Sequence, residues 1–386
     1  MEMVAVNGTI LAVNSGSSSL KFGLFAEQNG EEAVVLQGEA EGIGRSGSRL
    51  WMKDAAGNPL LDVGNPLSAQ VQALGEIVKA LRQFTQGAPL AAVGHRIVHG
   101  GPHLREHQRI TPDLIQTLKS AVHFAPLHIP AAITLIESTE RLLPGVPQYA
   151  CFDTTFHRTM PETSSRFALP GEMYSKGIRR YGFHGLSYES VLYRLGAEIP
   201  PRMVCAHLGS GASLVALRDG RSVDTTMGLT PTGGILMATR SGDLDPGVLL
   251  FLMRTENMSA DALETLLNHQ SGLKALAEGE TDMRQLQTRA EKGDCKAALA
   301  IDVFATAVRK CIGSYAAELG GLDLLIFTGG IGEHSQYVRQ RICQDLDFLG
   351  IKATGQGQFS KIKIMTSEEE VQIARHCRRL LRGNDS

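Results

Sequence analysis

A chain of 386 residues, 43 % apolar and 20 % charged, carries enough material for two hydrophobic cores, which excludes a disordered segment or a miniprotein held by disulfides. The formal net charge of -2 provides no field to gather nucleic acid or an anionic membrane, so any anion has to be held by a local cluster of cations. Six scattered cysteines without a Cys-x-x-Cys pair suggest neither a zinc site nor a disulfide framework, and the lack of a signal peptide or a spanning apolar run predicts a soluble, cytoplasmic protein.

In chain order, strands are expected at 9–14, 20–26 and 33–38. The small residues of "NSGSSSL" (14–20) form a tight turn between the first two, its backbone N–H groups free to face a ligand such as phosphate. A helix follows at about 68–84, where Val71, Leu74, Val78 and Leu81 recur at helical spacing. Strand 90–98, helices near 111–122 and 130–142 and strand 146–152 complete a mixed α/β domain. The second half opens on strand-like 201–207 and 213–220, joined by "LGSGASL" (208–214), a turn that resembles the first one about half a chain earlier. A repeat on that scale points to duplicated domains and not to a solenoid. A helix near 295–318 carries the apolar stripe Ile301, Phe304, Val308, Ile312 and Tyr315. Buried strand 322–327, the glycine turn "TGGIGEHS" and a further helix follow, an arrangement suited to phosphate or nucleotide.

Neither glycine turn is a Walker A motif, because no Gly-x-x-x-x-Gly-Lys-Ser/Thr surrounds Lys21, and "GIGEHS" lacks the last glycine of a dinucleotide fingerprint. His95, His99, His103 and His107 recur every four residues, but Gly100, Gly101 and Pro102 break any helix that would align them, so they read as unrelated. Arg96 ends an apolar strand beside a glycine bend, and Arg240 sits among small residues in "GLTPTGGILMATRSGDLDPG", where a guanidinium can approach a compact anion. Asp153 follows an apolar strand and His184 lies among aromatic and glycine residues; each suits the mouth of a cleft, or equally a cap or a buried polar position. These parts suit phosphoryl transfer, which needs positioning and cations more than covalent chemistry.

The stretches "LAVNSGSSSLKF", "GHRIVHGG", "APLH", "FDTTFH", "RRYGFHG", "HLGSGASL", "SVDTTMGLTP", "TRSGDLDPG", "TGGIGEHS" and "SEEEVQIAR" keep one order from residue 11 to residue 375. Together they resemble the acetate kinases, the acetokinase family of the acetate/sugar kinase, Hsp70 and actin superfamily. The resemblance implies an α/β, two-domain duplicated ribonuclease H-like (actin-like ATPase) fold with an interdomain active-site cleft. It places the first domain at 1–152, completed by a C-terminal helix at about 371–386, and a nucleotide-binding second domain at 153–370. The implied reaction is reversible transfer of the ATP γ-phosphate to acetate, giving acetyl phosphate and ADP, with Mg2+ or Mn2+, in a homodimer without nucleic-acid or membrane partners. Propionate or butyrate as the acid, and an ATP-driven conformational module, stand as alternatives.

Residue by residue, the resemblance implies Asn14 and Glu369 at the metal; alignment on "IAR" favours Glu369, alignment on Thr366 favours Glu368. Ser17, Ser19 and Lys21 would form the first phosphate turn, and His207, Gly209, Ser210 and Gly211 the second. Arg96, His128, His184 and Arg240 would surround the carboxylate and the transferring phosphoryl group, with Asp153 positioning metal or substrate. Val98, Leu127, Phe183 and Pro231 would enclose the acyl group; Asp282, Met283 and Arg284, with Gly330, Ile331, Gly332 and His334, would flank the nucleoside. Ile129, Leu186, Tyr188, Ser210, His334 and the "TPTGG" run depart from the common family pattern.

Overall fold

The computed structural model describes residues 8–16, 18–64, 66–85, 89–126, 128–355 and 358–383. Ser17 and Leu127, expected in the phosphate turn and the acyl pocket, lie outside the described residues. The chain forms two compact units: residues 1–155 with 185–190 and 368–386, and residues 156–184 with 191–367.

The first unit is built on β1 (Thr9–Ser15), β2 (Ser19–Gln28), β3 (Glu31–Glu41), β4 (Arg49–Asp54), β5 (Pro59–Gly64), β6 (Leu90–Ile97), β7 (Gln108–Arg109) and β8 (Gln148–Phe152). They hydrogen-bond in the order β5-β4-β3-β2-β1-β6-β8-β7. The meander β1 to β5 is antiparallel, whereas β6 pairs parallel to β1 and β8 parallel to β6. Both faces of the sheet are covered, which is why β1 is apolar from Ile10 to Val13 without alternation. Leu11 and Val13 join Ala73, Leu74, Ile77 and Val78 of the helix Gln70–Phe84, while Ile10 and Ala12 join Ile373, Ala374 and Cys377 of the C-terminal helix Glu369–Gly383.

That last helix lies so close to β6 that a Cβ on Gly94 would come within 2.4 Å of Ile373 Cγ2 and 2.5 Å of Cys377 Sγ. Gly94→Val is therefore expected to lower the thermal midpoint by overpacking, a cost of about 1–3 kcal/mol or more. A melting curve that leaves the midpoint unmoved would contradict this packing.

Among the described residues five strands, and not three, precede the first helix. β4 and β5 form a hairpin whose turn is closed by Asp54, which accepts from the backbone N–H of Asn58 at 2.8 Å. Leu50 and Met52 of β4 are buried, but β5 is mostly exposed, so it has no apolar run to announce it.

The second unit contains β9 (Arg202–Leu208), β10 (Ala212–Arg218), β11 (Arg221–Thr225), β12 (Leu324–Thr328), β13 (Ala353–Gly355), β14 (Gln358–Phe359) and β15 (Ile362–Ile364). Its main sheet has the order β11-β10-β9-β12-β15, and β13 and β14 form a separate ribbon. Three antiparallel strands followed by two parallel ones reproduce the β3-β2-β1-β6-β8 core of the first unit, the ribonuclease H-like order, so the fold is duplicated. The helix Cys295–Leu319 starts at an Asp294 cap that accepts from the N–H groups of Lys296 and Ala297, and it stops at Gly320, whose φ of 74° suits only glycine well. Its stripe Ile301, Phe304, Val308 and Ile312 is fully buried.

After β12 the chain goes directly into a short helix, Gly329–His334, where a glycine turn was expected. Gly329 makes the change of direction at φ 76°, where a Cβ would stand 2.8 Å from the Leu208 carbonyl oxygen. Among the described residues no helix is long and apolar enough to cross a membrane.

Candidate functional site

In the first unit, the functional side chains gather where β1, β6 and β8 end. Arg96, near the end of β6, donates from Nε and Nη2 to the Asp153 carboxylate at 3.0 and 2.6 Å, and from Nη1 to Asn14 Oδ1 at 3.1 Å. The Asn14 amide nitrogen donates to Glu369 Oε2 at 2.9 Å and to Glu370 Oε1 at 2.7 Å. Asn14 on β1 faces Lys21 on β2 in the ladder. One planar fork thus ties together three strand ends, and the asparagine extends the network to the start of the C-terminal helix.

The electrostatics are those of a buried, charge-rich pocket. Burial pushes the Asp153 carboxyl upward and the Arg96 guanidinium pulls it back, with the net result above the ordinary aspartate range. Burial and the neighbouring Glu369 raise Glu370, against the opposing pull of Lys21 and the Asn14 amide. Burial opposes the charge on Arg96, but Asp153, Glu369 and Glu370 together raise it further above its ordinary value. Glu369 and Glu370, which meet at the Asn14 amide, supply hard oxygen ligands of the kind a divalent cation takes. A cation there would stabilise the ionised form of a glutamate that burial and a like charge now disfavour. The sequence left the choice open between Glu369 and Glu368; Asn14 bonds to Glu369 and also to Glu370, which neither alignment favoured.

Other expected residues of this unit are placed as follows. Val98, just beyond β6, is buried. His128 precedes the helix Ile129–Leu142 as its first flanking residue. Ser19 closes the first glycine turn, its carbonyl accepting from Gly16 N at 2.9 Å, and Lys21 is exposed.

In the second unit an arginine and two histidines surround the second glycine turn, between β9 and β10. His184 adopts a left-handed backbone (φ 58°), and its Nδ1 lies 2.8 Å from Ser213 Oγ. His207 stacks on it, ring centroids 4.2 Å apart. A Cβ on Gly211 would sit 3.3 Å from His184 Nε2 and 3.6 Å from Arg240 Nη1, so the glycine leaves open the space toward which both nitrogens converge. Arg240 Nη1 donates to the Pro231 carbonyl at 3.1 Å. Ser213, which orients His184, is a contact that sequence reasoning missed, although it stands within "LGSGASL".

Ser210 O accepts from Ala238 N at 3.2 Å, and Gly209 N donates to Gly211 O at 3.0 Å, so the turn is bound to the loop that carries Arg240. Gly330 N lies 4.0 Å from the position of a Gly209 Cβ, which brings the start of the Gly329–His334 helix to the same turn. Glu333 braces that helix, accepting from Gly329 N at 2.9 Å and Ser367 N at 3.1 Å. Ile331 is half-buried, Gly332 buried, His334 exposed and Phe183 buried. Asp282 caps the helix Met283–Glu291 and pairs at 2.6 Å with Arg284, whose side chain is exposed, while Met283 between them is buried.

The arrangement therefore consists of an acidic, asparagine-bearing group around Arg96 in one unit and an arginine–histidine group around a glycine turn in the other. Comparison with known proteins gives the same direction. The acetokinase family profile matches residues 9–374. The acetate kinase of Acetivibrio thermocellus is 40 % identical over 399 residues, covering 97 % of this chain and 99 % of that one. The crystal structure of Porphyromonas gingivalis acetate kinase superposes with a TM-score of 0.82 at 34 % identity, covering 97 % and 100 % of the two chains. A propionate kinase from Francisella tularensis superposes with a TM-score of 0.88 at 34 % identity, covering 96 % and 98 %.

Proposed function

Because the chain belongs to the acetokinase family, we propose that it catalyses reversible transfer of the γ-phosphoryl group of ATP to the carboxylate of acetate, giving acetyl phosphate and ADP. The observation that carries this reading is Arg96, a partly buried guanidinium fixed by Asp153 beside a carboxylate cluster and Asn14.

A carboxylic acid with a pKa near about 4 is ionised at neutral pH, so no general base is required and repulsion between two anions is the main barrier. An acetate oxygen forms a bond to the γ-phosphorus, the bond from that phosphorus to the bridging oxygen breaks, and ADP departs with the electron pair. Arg96 orients the acid, while Arg240 and His184 offset the charge spread over the phosphoryl oxygens. The glycine turn around Gly209 and Gly211 admits phosphate close to the backbone, and the second unit serves as the nucleotide-binding domain. Asn14, Glu369 and Glu370 would hold Mg2+, or Mn2+ in its place, which supplies neutralisation of the β- and γ-phosphates.

The test is ADP release in the presence of ATP and Mg2+ with acetate, propionate, butyrate or no acid. Highest turnover with acetate supports the reading. A maximum with propionate supports the second reading, which the likeness to the propionate kinase favours. Hydrolysis indifferent to every acid overturns both and points to an ATP-driven conformational module.

Val98 is the buried residue expected to limit the acid's length. Val98→Ala should raise the propionate-to-acetate ratio of kcat/KM by roughly fourfold per methylene accommodated, corresponding to about 0.8 kcal/mol. An unchanged ratio would remove Val98 from the pocket.

A homodimer is supported by the helix Pro246–Thr255, which buries none of its residues although its composition is strongly apolar. Leu244, Val248, Leu250, Phe251 and Met253 are exposed, as are Leu299 and Val303 of the helix Cys295–Leu319. Such a face is covered in a stable protein, and a second copy of the chain is the partner proposed. Phe251→Glu is expected to convert a dimer into monomers by sedimentation equilibrium; a dimer that persists would place the interface elsewhere. ATP supply and six free thiols support a cytoplasmic setting.

A further inference from the structure

His107, Glu189 and His376 form a buried group in the first unit that takes no part in the chemistry above; one ligand atom from each lies within 4.8 Å of the others. Two histidines and a glutamate are a familiar donor set for zinc, so the hydrogen bonds have to decide what the group is. His107 Nδ1 accepts the backbone N–H of Phe152 at 3.0 Å. The proton of a neutral ring is therefore on Nε2, which points at Glu189 Oε1 from 3.4 Å. His376 Nε2 lies 2.6 Å from Glu189 Oε2 and 3.0 Å from Gln372 Nε2; because Nδ1 of that ring accepts from Arg379 at 3.3 Å, the ring proton is on Nε2 and goes to the carboxylate. Metal-bound imidazoles instead donate from their second nitrogen, so these rings have the wrong tautomer for a metal. One carboxylate receiving two imidazole N–H groups is complete without one.

Its location gives it a use. β7 has only two residues, and its pairing with β8 reaches Ala150, leaving the Phe152 N–H to the His107 ring. Phe152 immediately precedes Asp153. At the other end, His376 belongs to the helix that begins at Glu369 and Glu370. We propose that Glu189 is a positioning residue: through His107 and His376 it fixes the distance between Asp153 and the Glu369–Glu370 pair, on either side of Arg96 and Asn14. The inference rests on the function proposed above, in which those groups hold metal and acid.

Glu189→Gln tests it, because an amide cannot accept from both rings, and one of them must give up its Nδ1 acceptor role. Arg378→Gln, on the same helix as His376, is the comparison: it breaks the ion pair at 2.8 Å with Glu32 of β3. The measurements are kcat and KM with the acid, the thermal midpoint, and Mn2+ affinity by electron paramagnetic resonance with ADP present. Glu189→Gln should lose on the order of tenfold in both kcat and Mn2+ affinity with little change in the acid's KM. Arg378→Gln should lower the midpoint while retaining both. The proposal is overturned if Glu189→Gln stays within twofold of the parent in both, if Arg378→Gln loses as much, or if Zn2+ alone binds the parent tightly and that binding is lost in Glu189→Gln. A parent protein that binds Mn2+–ADP but shows no acid-dependent turnover would refute the kinase reading, and the Mn2+ measurement would still decide the role of Glu189.

Discussion

Arg96→Ala lowers turnover with acetate by about 10³- to 10⁵-fold, the range that an arginine at a transferring phosphoryl group can supply. The geometry explains why no neighbour compensates: its Nη2 and Nη1 groups serve Asp153 and Asn14 at once, and Asp153 is almost fully buried. Removing the guanidinium leaves a carboxyl already pushed upward by burial without its counter-charge, and breaking such a pair costs about 3–5 kcal/mol. Arg96→Lys separates the two effects. It restores a positive charge to Asp153 but not a planar fork that reaches Asn14 as well, so stability should recover while most of the activity stays lost. Turnover of Arg96→Ala within tenfold of the parent, with a normal melting curve, would remove Arg96 from the reaction.

Arg240→Ala is the second large effect, expected to cut kcat by about 10³-fold or more with the fold retained. Arg240 is only half-buried, and its Nη1 donates to the Pro231 carbonyl. Gly211→Val approaches the same space from the other side. A side chain there begins 3.3 Å from His184 Nε2 and 3.6 Å from Arg240 Nη1 and would fill the volume proposed for the phosphoryl group. Both variants should melt close to the parent temperature while losing turnover. If Gly211→Val keeps its activity, the phosphoryl group does not pass through this turn.

Local pattern in the sequence carried the two sheets a long way. The paired turns around Asn14 and Gly209 were enough to expect a duplication, because a Gly/Ser break between two apolar strands marks a hairpin wherever it occurs. The same logic missed β5, where exposed residues leave no alternation to detect, and it read "GGIGEH" as a turn because three glycines outweigh the one position, Gly329, that needs left-handed backbone. The sites were legible in composition and not in contact. Asn14 bonds to Glu369 and Glu370 across separations of 355 and 356 residues, which no local pattern reports. His107 was set aside because histidines four apart suggested a helix that glycine and proline forbid; its partner Glu189 lies 82 positions away.

Label transfer shows whether phosphate passes from ATP to a carboxylate oxygen. Parent, Arg96→Ala and Arg240→Ala proteins would each be mixed with γ-labelled ATP, Mg2+ and acetate and divided: one aliquot is analysed directly for labelled acyl phosphate, and a second is treated with hydroxylamine, which displaces the phosphate and leaves acetohydroxamate to be counted. Transfer to the carboxylate gives labelled acyl phosphate in the first aliquot and an equal amount of hydroxamate in the second for the parent, and a loss of orders of magnitude in both for the two variants. Label appearing only as inorganic phosphate, at the same rate with and without acetate, would contradict it.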